Sequence, residues 1–207
     1  MKFIDSIAKK IGDFDEKLRC AVLGFRIFWG LNQPNKIDSN EETQRMRSFV
    51  GCGHVWRMSA WNEIPEYPEW YKFYGEEDFA SFHLFKRNWE IHYYPDILVH
   101  HRVHVKSRKK DKDYIDRTRR ALHAGWSNYL IFHPMKLISR KLGSSIWSQM
   151  TNKVFKGDLK AFLGLILAIY DLIVNFTKIK GGIQRLTMDE FRNYNRLKET
   201  KIYWRCF

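Results

Sequence analysis

From Phe3 to Leu18, apolar residues (Phe3, Ile4, Ile7, Ile11) recur at helical spacing among charged ones, which predicts an amphipathic helix. Arg19 to Trp29 then reads as a largely buried strand through Cys20, Ala21, Val22, Leu23 and Phe25. Gly30 to Arg45 is polar and turn-rich, with Asn32, Pro34, Asn35, Asp38 and Asn40, and is expected to be an exposed loop. Phe49 and Val50 form a short apolar run that ends at Gly51, Cys52 and Gly53. Two glycines flanking one residue signal a tight backbone turn or a close approach to the backbone. A Pro- and aromatic-rich loop, Pro65 to Tyr74, leads to Gly75. Beyond it the spacing predicts a helix over Glu77 to Arg87, with Phe79, Phe82 and Phe85 on roughly one face. Trp89 to Tyr94 has strand character and is cut by Pro95, after which Ile97, Leu98 and Val99 lead into His100 and His101. Beyond Asp113 the pattern is almost entirely helical. Ala161 to Phe176 is an apolar run interrupted by Asp171 and too short to span a bilayer comfortably, so a buried or interfacial helix is expected there.

A chain of 207 residues with 44% hydrophobic content can bury a core and is not generally disordered, so one domain, or one domain with a helical tail, is expected. The formal net charge of +13 changes the picture of partners. It suits a polyanion, whether a membrane face, a nucleic acid or a phosphorylated substrate, without choosing among them. Much of the excess lies in Arg102 to Arg120, which carries Arg102, Lys106, Arg108, Lys109, Lys110, Lys112, Arg117, Arg119 and Arg120 against Asp111, Asp113 and Asp116. A solvated loop and helix face would look the same. Lys153, Lys156 and Lys160 before the apolar run, with Lys178 and Lys180 after it, would let that helix rest on an anionic membrane surface. Cys20, Cys52 and Cys206 are an odd count at wide spacing, which favours a reducing compartment over a disulfide or zinc framework. The N-terminal segment lacks the continuous apolar run of a secretory signal.

Three pieces carry candidate chemistry: Phe49-Val50-Gly51-Cys52-Gly53-His54-Val55-Trp56-Arg57, then Gly75-Glu76-Glu77-Asp78, then Pro95 to His101. A carboxylate opening a helix can take a proton from a hydroxyl, yet acids in that place also simply favour the helix dipole. Trp56, Trp61, Trp70, Tyr71, Phe73 and Tyr74 crowd the stretch before the acids; flat rings line sugar sites and also fill ordinary cores. Arg57 has the fork geometry to pair with phosphate or to brace the acidic loop.

In this order the three pieces resemble the second half of a family-two glycosyltransferase of the GT-A type, over a stretch from about Arg19 to the mid-120s. The resemblance implies an α/β fold, a partial GT-A-like mixed sheet flanked by helices and followed by a helical C-terminal tail. Residues 1–125 would be the acceptor-side part of the domain, and residues 126–207 a helical tail that could associate with a membrane surface. It implies an enzyme that moves a sugar from a nucleotide diphosphate sugar to a glycan or lipid-linked acceptor with inversion. Asp78 would be the catalytic base and Glu77 a positioning group. Gly51, Gly53, Trp56 and Arg57 would lie at the substrate, and His101, with His100 as the alternative, near or on a Mg²⁺ or Mn²⁺ ion. The helix departs from the family's pattern, with Ala80 and Leu84 where a further acid and an arginine are usual and Asn88 where a glycine often ends it. Asp13-Phe14-Asp15 matches the family's metal-binding Asp-x-Asp in letters only, so the nucleotide-binding half is expected to be missing and the chain to be inactive alone. The work would be cytoplasmic, with peripheral attachment to the inner membrane face. The reading from a different class is a non-enzymatic basic protein that binds nucleic acid or a membrane surface, although no recognisable nucleic-acid-binding motif is present.

Overall fold

The computed structural model describes residues 19–34, 37–103, 113–200 and 202–203. The helix expected over Phe3 to Leu18, Asp13-Phe14-Asp15, Cys206 and most of the basic residues between Arg102 and Arg117 lie outside them. The described residues form a mixed α/β fold, with a small mixed sheet and seven α-helices, divided into two compact units. The first comprises Met1–Pro65, Ala80–Val103 and Leu197–Phe207; the second comprises Glu66–Phe79 and His104–Arg196.

In the sheet unit, β1 (Cys20–Trp29) is central and buried from Cys20 to Phe28, as its largely apolar sequence requires. It runs parallel to β4 (Glu90–His101), from Cys20 opposite Glu90 to Trp29 opposite His101. Its other flank pairs with β3 (His54–Trp56), antiparallel, and with β5 (Ile202–Tyr203), parallel. β2 (Gln44–Met46) pairs antiparallel with β4, giving the order β2-β4-β1-β3. The three strands expected near Arg19, Phe49 and Trp89 are therefore neighbours. Pro95 does not end its strand. Phe25 pairs with Tyr94 and the next residue, Arg26, with Leu98, so Pro95, Asp96 and Ile97 are extruded as a bulge. A bulge accepts a residue that has no N–H to donate, and the Tyr94 hydroxyl donates to Asp96 Oδ2 at 2.9 Å across it. Arg26, buried within β1, donates to the carbonyls of Ile37 and Asp38, which fastens part of the otherwise exposed loop to the sheet.

A short helix absent from the sequence reading, α1 (Met58–Glu63), follows β3. α2 (Glu76–Lys86) starts one residue earlier than expected, and just beyond its end Asn88 takes a φ of 58°, the left-handed conformation that asparagine tolerates. Phe79 and Phe82 are buried as expected, but so are Ala80, Ser81, His83 and Leu84, so the helix has no single apolar face.

The helical unit carries α3 (Tyr114–Phe132), α4 (Met135–Asn152), α5 (Leu159–Val174), α6 (Phe176–Gly181) and α7 (Met188–Arg196). Its core gathers Trp126, Leu165 and Ala168, with Leu142, Ile146 and Leu172 packed against them, and the Trp126 indole N–H donates to Ser145 Oγ at 2.9 Å. Asp158 caps α5 by accepting the Ala161 N–H at 2.9 Å, and Thr187 with Glu190 closes a reciprocal capping box on α7. Asp171 interrupts the apolar run because it faces Arg119 of α3 across a paired hydrogen bond. Among the described residues no helix is long and apolar enough to cross a membrane. The boundary expected at residue 125 falls inside α3, and the segment after α7 is not tail: Lys198 to Thr200 bond to Gln44, Arg47 and Ser48, and β5 joins the sheet.

Candidate functional site

The acidic opening of α2 is set up by the turn before it. A 3-10 turn, Glu69–Tyr71, is followed by Lys72 (φ 51°) and Phe73 (φ 86°), two consecutive non-glycine residues in the left-handed region, which is costly for ordinary side chains. Gly75 then takes φ 86°, and a Cβ there would stand 2.9 Å from the Ala124 Cβ of α3. Asn128 of α3 holds the turn: its Nδ2 donates to the Gly75 carbonyl at 3.3 Å and its Oδ1 accepts the Tyr71 hydroxyl at 2.6 Å. Strained backbone fixed by a buried amide in this way presents Glu76, Glu77 and Asp78 together in the first turn of α2, where the helix dipole favours negative charge.

The three acids differ in environment. Asp78 is exposed, whereas Glu76 and Glu77 are half-buried. Burial raises the Glu76 carboxyl, opposed by backbone N–H bonds at Glu76 itself and Phe73 and reinforced by the charge of Glu77. Three phenols answer the acids electrostatically. Tyr67 is pushed up to about 12, first by burial and then by Glu77 and Glu76. Tyr71 is raised by burial, Asp78 and Glu76, and Tyr129 by burial and Asp78. All three therefore stay protonated as hydrogen-bond donors at neutral pH. A half-exposed carboxylate pair beside protonated phenols can accept a proton from a hydroxyl and offer donors to its neighbours.

Sequence reading missed Tyr67, Asn128 and Tyr129. Tyr67 sat within the aromatic loop, but Asn128 and Tyr129 are about sixty residues further on, and the one available signal was the polar Ser127-Asn128 pair among apolar residues of α3.

The remaining candidates belong to the sheet unit. Gly51 is exposed, while Gly53 is buried: a Cβ there would lie 2.5 Å from Ile27 Cδ1 and 3.0 Å from Val99 Cγ2. Its carbonyl accepts the Phe25 N–H at 2.9 Å, so packing on β1 and β4 already requires this glycine. Trp56 lies edge-on to Phe49 and Trp61, with centroids 5.5 and 5.0 Å away. Arg57 donates its N–H to Ala21 at 2.8 Å, and its guanidinium stands 5.6 Å from the Trp89 ring, which Arg19 also covers at 4.4 Å. The Trp89 indole donates to Glu63 at 2.7 Å. His100 and His101 end β4. His100 Nε2 meets the Gly30 carbonyl at 2.9 Å, and the His101 ring tilts against Trp29 at 5.4 Å.

Mg²⁺ and Mn²⁺ take mainly oxygen donors, carboxylates above all. Among the described residues no three His, Cys, Asp or Glu side chains cluster to hold a metal, and one of the two imidazoles is already engaged with backbone. Comparison with family models, curated proteins and solved structures returned no match to this chain.

Proposed function

We propose that this chain is the acceptor-side part of an inverting glycosyltransferase of the family-two, GT-A type. The observation that carries the reading is the exposed Asp78 carboxylate in the first turn of α2, flanked by half-buried acids and protonated tyrosines. In the proposed reaction, the hydroxyl of a glycan or lipid-linked acceptor attacks the anomeric carbon of a nucleotide diphosphate sugar. The hydroxyl proton passes to Asp78, the bond from anomeric carbon to phosphate oxygen breaks, and the nucleotide diphosphate leaves with inversion. Glu77 positions the acceptor, and Tyr67 and Tyr129 supply donors beside it. A divalent cation would neutralise the leaving diphosphate, with ligands drawn from a nucleotide-binding half. The reaction would run in the cytoplasm, where nucleotide sugars and the inner membrane face meet.

The test is transfer. A panel of nucleotide sugars and glycan or lipid-linked acceptors is screened for nucleotide diphosphate release, with the chain alone and with the chain fused to a nucleotide-binding half. Release that depends on the acceptor and on Asp78 supports the reading. No release in either form sinks it, and release indifferent to Asp78 removes the assignment of the base.

A further inference from the structure

α5 is apolar on two sides, and among the described residues only one of them is covered. Ala161, Gly164, Leu165 and Ala168 face inward and are buried, while Leu159, Phe162, Leu163, Ile166, Tyr170 and Ile173 are exposed at helical spacing, Leu159 at 75% and Ile173 at 70%. Just before the helix, Phe155 and Trp147 meet edge to face at 6.4 Å, and both are 66% exposed. Exposed lysines stand at both ends, Lys156 and Lys160 at the start and Lys178 and Lys180 beyond the finish. Of the nearby acids, Asp171 is paired with Arg119, and Asp158, which accepts from Tyr114 and Ala161, leaves the four lysines in excess.

We infer that this face of the helical unit docks on an anionic lipid bilayer, with α5 in the plane of the interface. The aliphatic row would enter the acyl boundary, Trp147 and Tyr170 would sit at headgroup depth, and the lysines would reach lipid phosphates. Charge selects this occupant. Because both ends of the face are cationic, pairing with a second copy sets lysine against lysine in either direction. A nucleic acid would satisfy the lysines but leave the aliphatic row in water. The inference does not rest on the transferase reading, since vesicle binding needs neither donor nor acceptor.

The experiment is co-sedimentation of the full chain with vesicles of phosphatidylcholine alone and of phosphatidylcholine with an equal part of phosphatidylglycerol, at low and high salt. Binding is expected to the anionic vesicles and to weaken with salt. Lys178→Gln with Lys180→Gln should weaken it by about 25-fold, at about fivefold per lysine. Ile166→Glu with Ile173→Glu should abolish it, with circular dichroism and melting as the check on folding. Should that variant unfold, quenching of tryptophan fluorescence by brominated lipid in the unaltered chain, reduced in Trp147→Phe, decides instead. No binding, equal binding to the neutral vesicles, binding indifferent to the glutamates, or absence of quenching overturns the inference. So does a dimer in sedimentation velocity that the glutamates dissolve.

Discussion

Arg119 and Asp171 meet through two hydrogen bonds of 2.6 Å each, Nε to Oδ2 and Nη2 to Oδ1, joining α3 to α5. Burial pushes the Asp171 carboxyl up, but the hydrogen bonds and charge of Arg119 outweigh this and hold it below the usual carboxylate range. The paired geometry makes the two side chains interdependent. Asp171→Ala or Arg119→Ala should each cost about 2–4 kcal/mol in urea denaturation, because the survivor is left partly buried without its partner. Asp171→Leu combined with Arg119→Met should cost less than either single change. A double variant as unstable as the sum of the singles would mean that the pair is not coupled.

In an active fused enzyme, Asp78→Asn should lower turnover by about 10²-fold or more, since it keeps size and loses basicity. Glu76→Gln should cost far less, because the proposed reaction gives Glu76 no proton to take. Steady-state release of nucleotide diphosphate measures both. Equal losses would point to electrostatics of the acidic turn as a whole.

Gly75 and Gly143 should respond oppositely to alanine. Gly75→Ala meets a left-handed φ and a Cβ contact at 2.9 Å with Ala124, and should destabilise by about 1–3 kcal/mol. Gly143 is exposed within α4 with nothing within 4 Å of an added Cβ, so Gly143→Ala should stabilise by about 0.5–1 kcal/mol. Thermal melts of the two variants check the contrast.

His133, packed against Tyr129 and Phe191 at 4.7 Å each, is lowered from 6.5 to about 4 by burial and then by the Lys141 charge. Its unfolded form therefore binds a proton at higher pH than its folded form. The corresponding stability is fully present above pH 6.5 and is lost as pH falls toward about 4. Melting temperatures taken across that window should fall for the parent chain and fall less for His133→Phe. Identical pH profiles would show that another group carries the acid sensitivity.

Much of the sheet was legible because β1 is apolar but for Arg26 and is buried almost throughout, and because β4 has apolar stretches on either side of Pro95. α2 was found by its acids and its glycine, although its burial on several sides hid any single face. Pro95 misled because a proline in a strand reads as a stop, whereas a three-residue bulge can accommodate it, and only the register with β1 reveals the bulge. For the acidic turn, the chain order supplied Glu77 and Asp78. Asn128 and Tyr129 come from a helix far along the sequence, and no local pattern announces a contact of that separation. Gly53 was read for its backbone freedom, and it is the side chains of Ile27 and Val99 that demand it.

The return of the chain to β1 brings its departure from the sheet and its re-entry onto one strand. The sheet is left at His101, opposite Trp29, and rejoined at Ile202, opposite Ile27, on the other flank of the same strand. Two strand spacings separate those flanks, about 10 Å, a gap that a few glycines and serines can bridge. The chain thus leaves and rejoins the sheet on the two flanks of one strand. Trimming the chain after Arg196, which on paper shortens a helical tail, would instead strip part of the flank of β1 and unmask backbone groups primed to recruit a foreign strand.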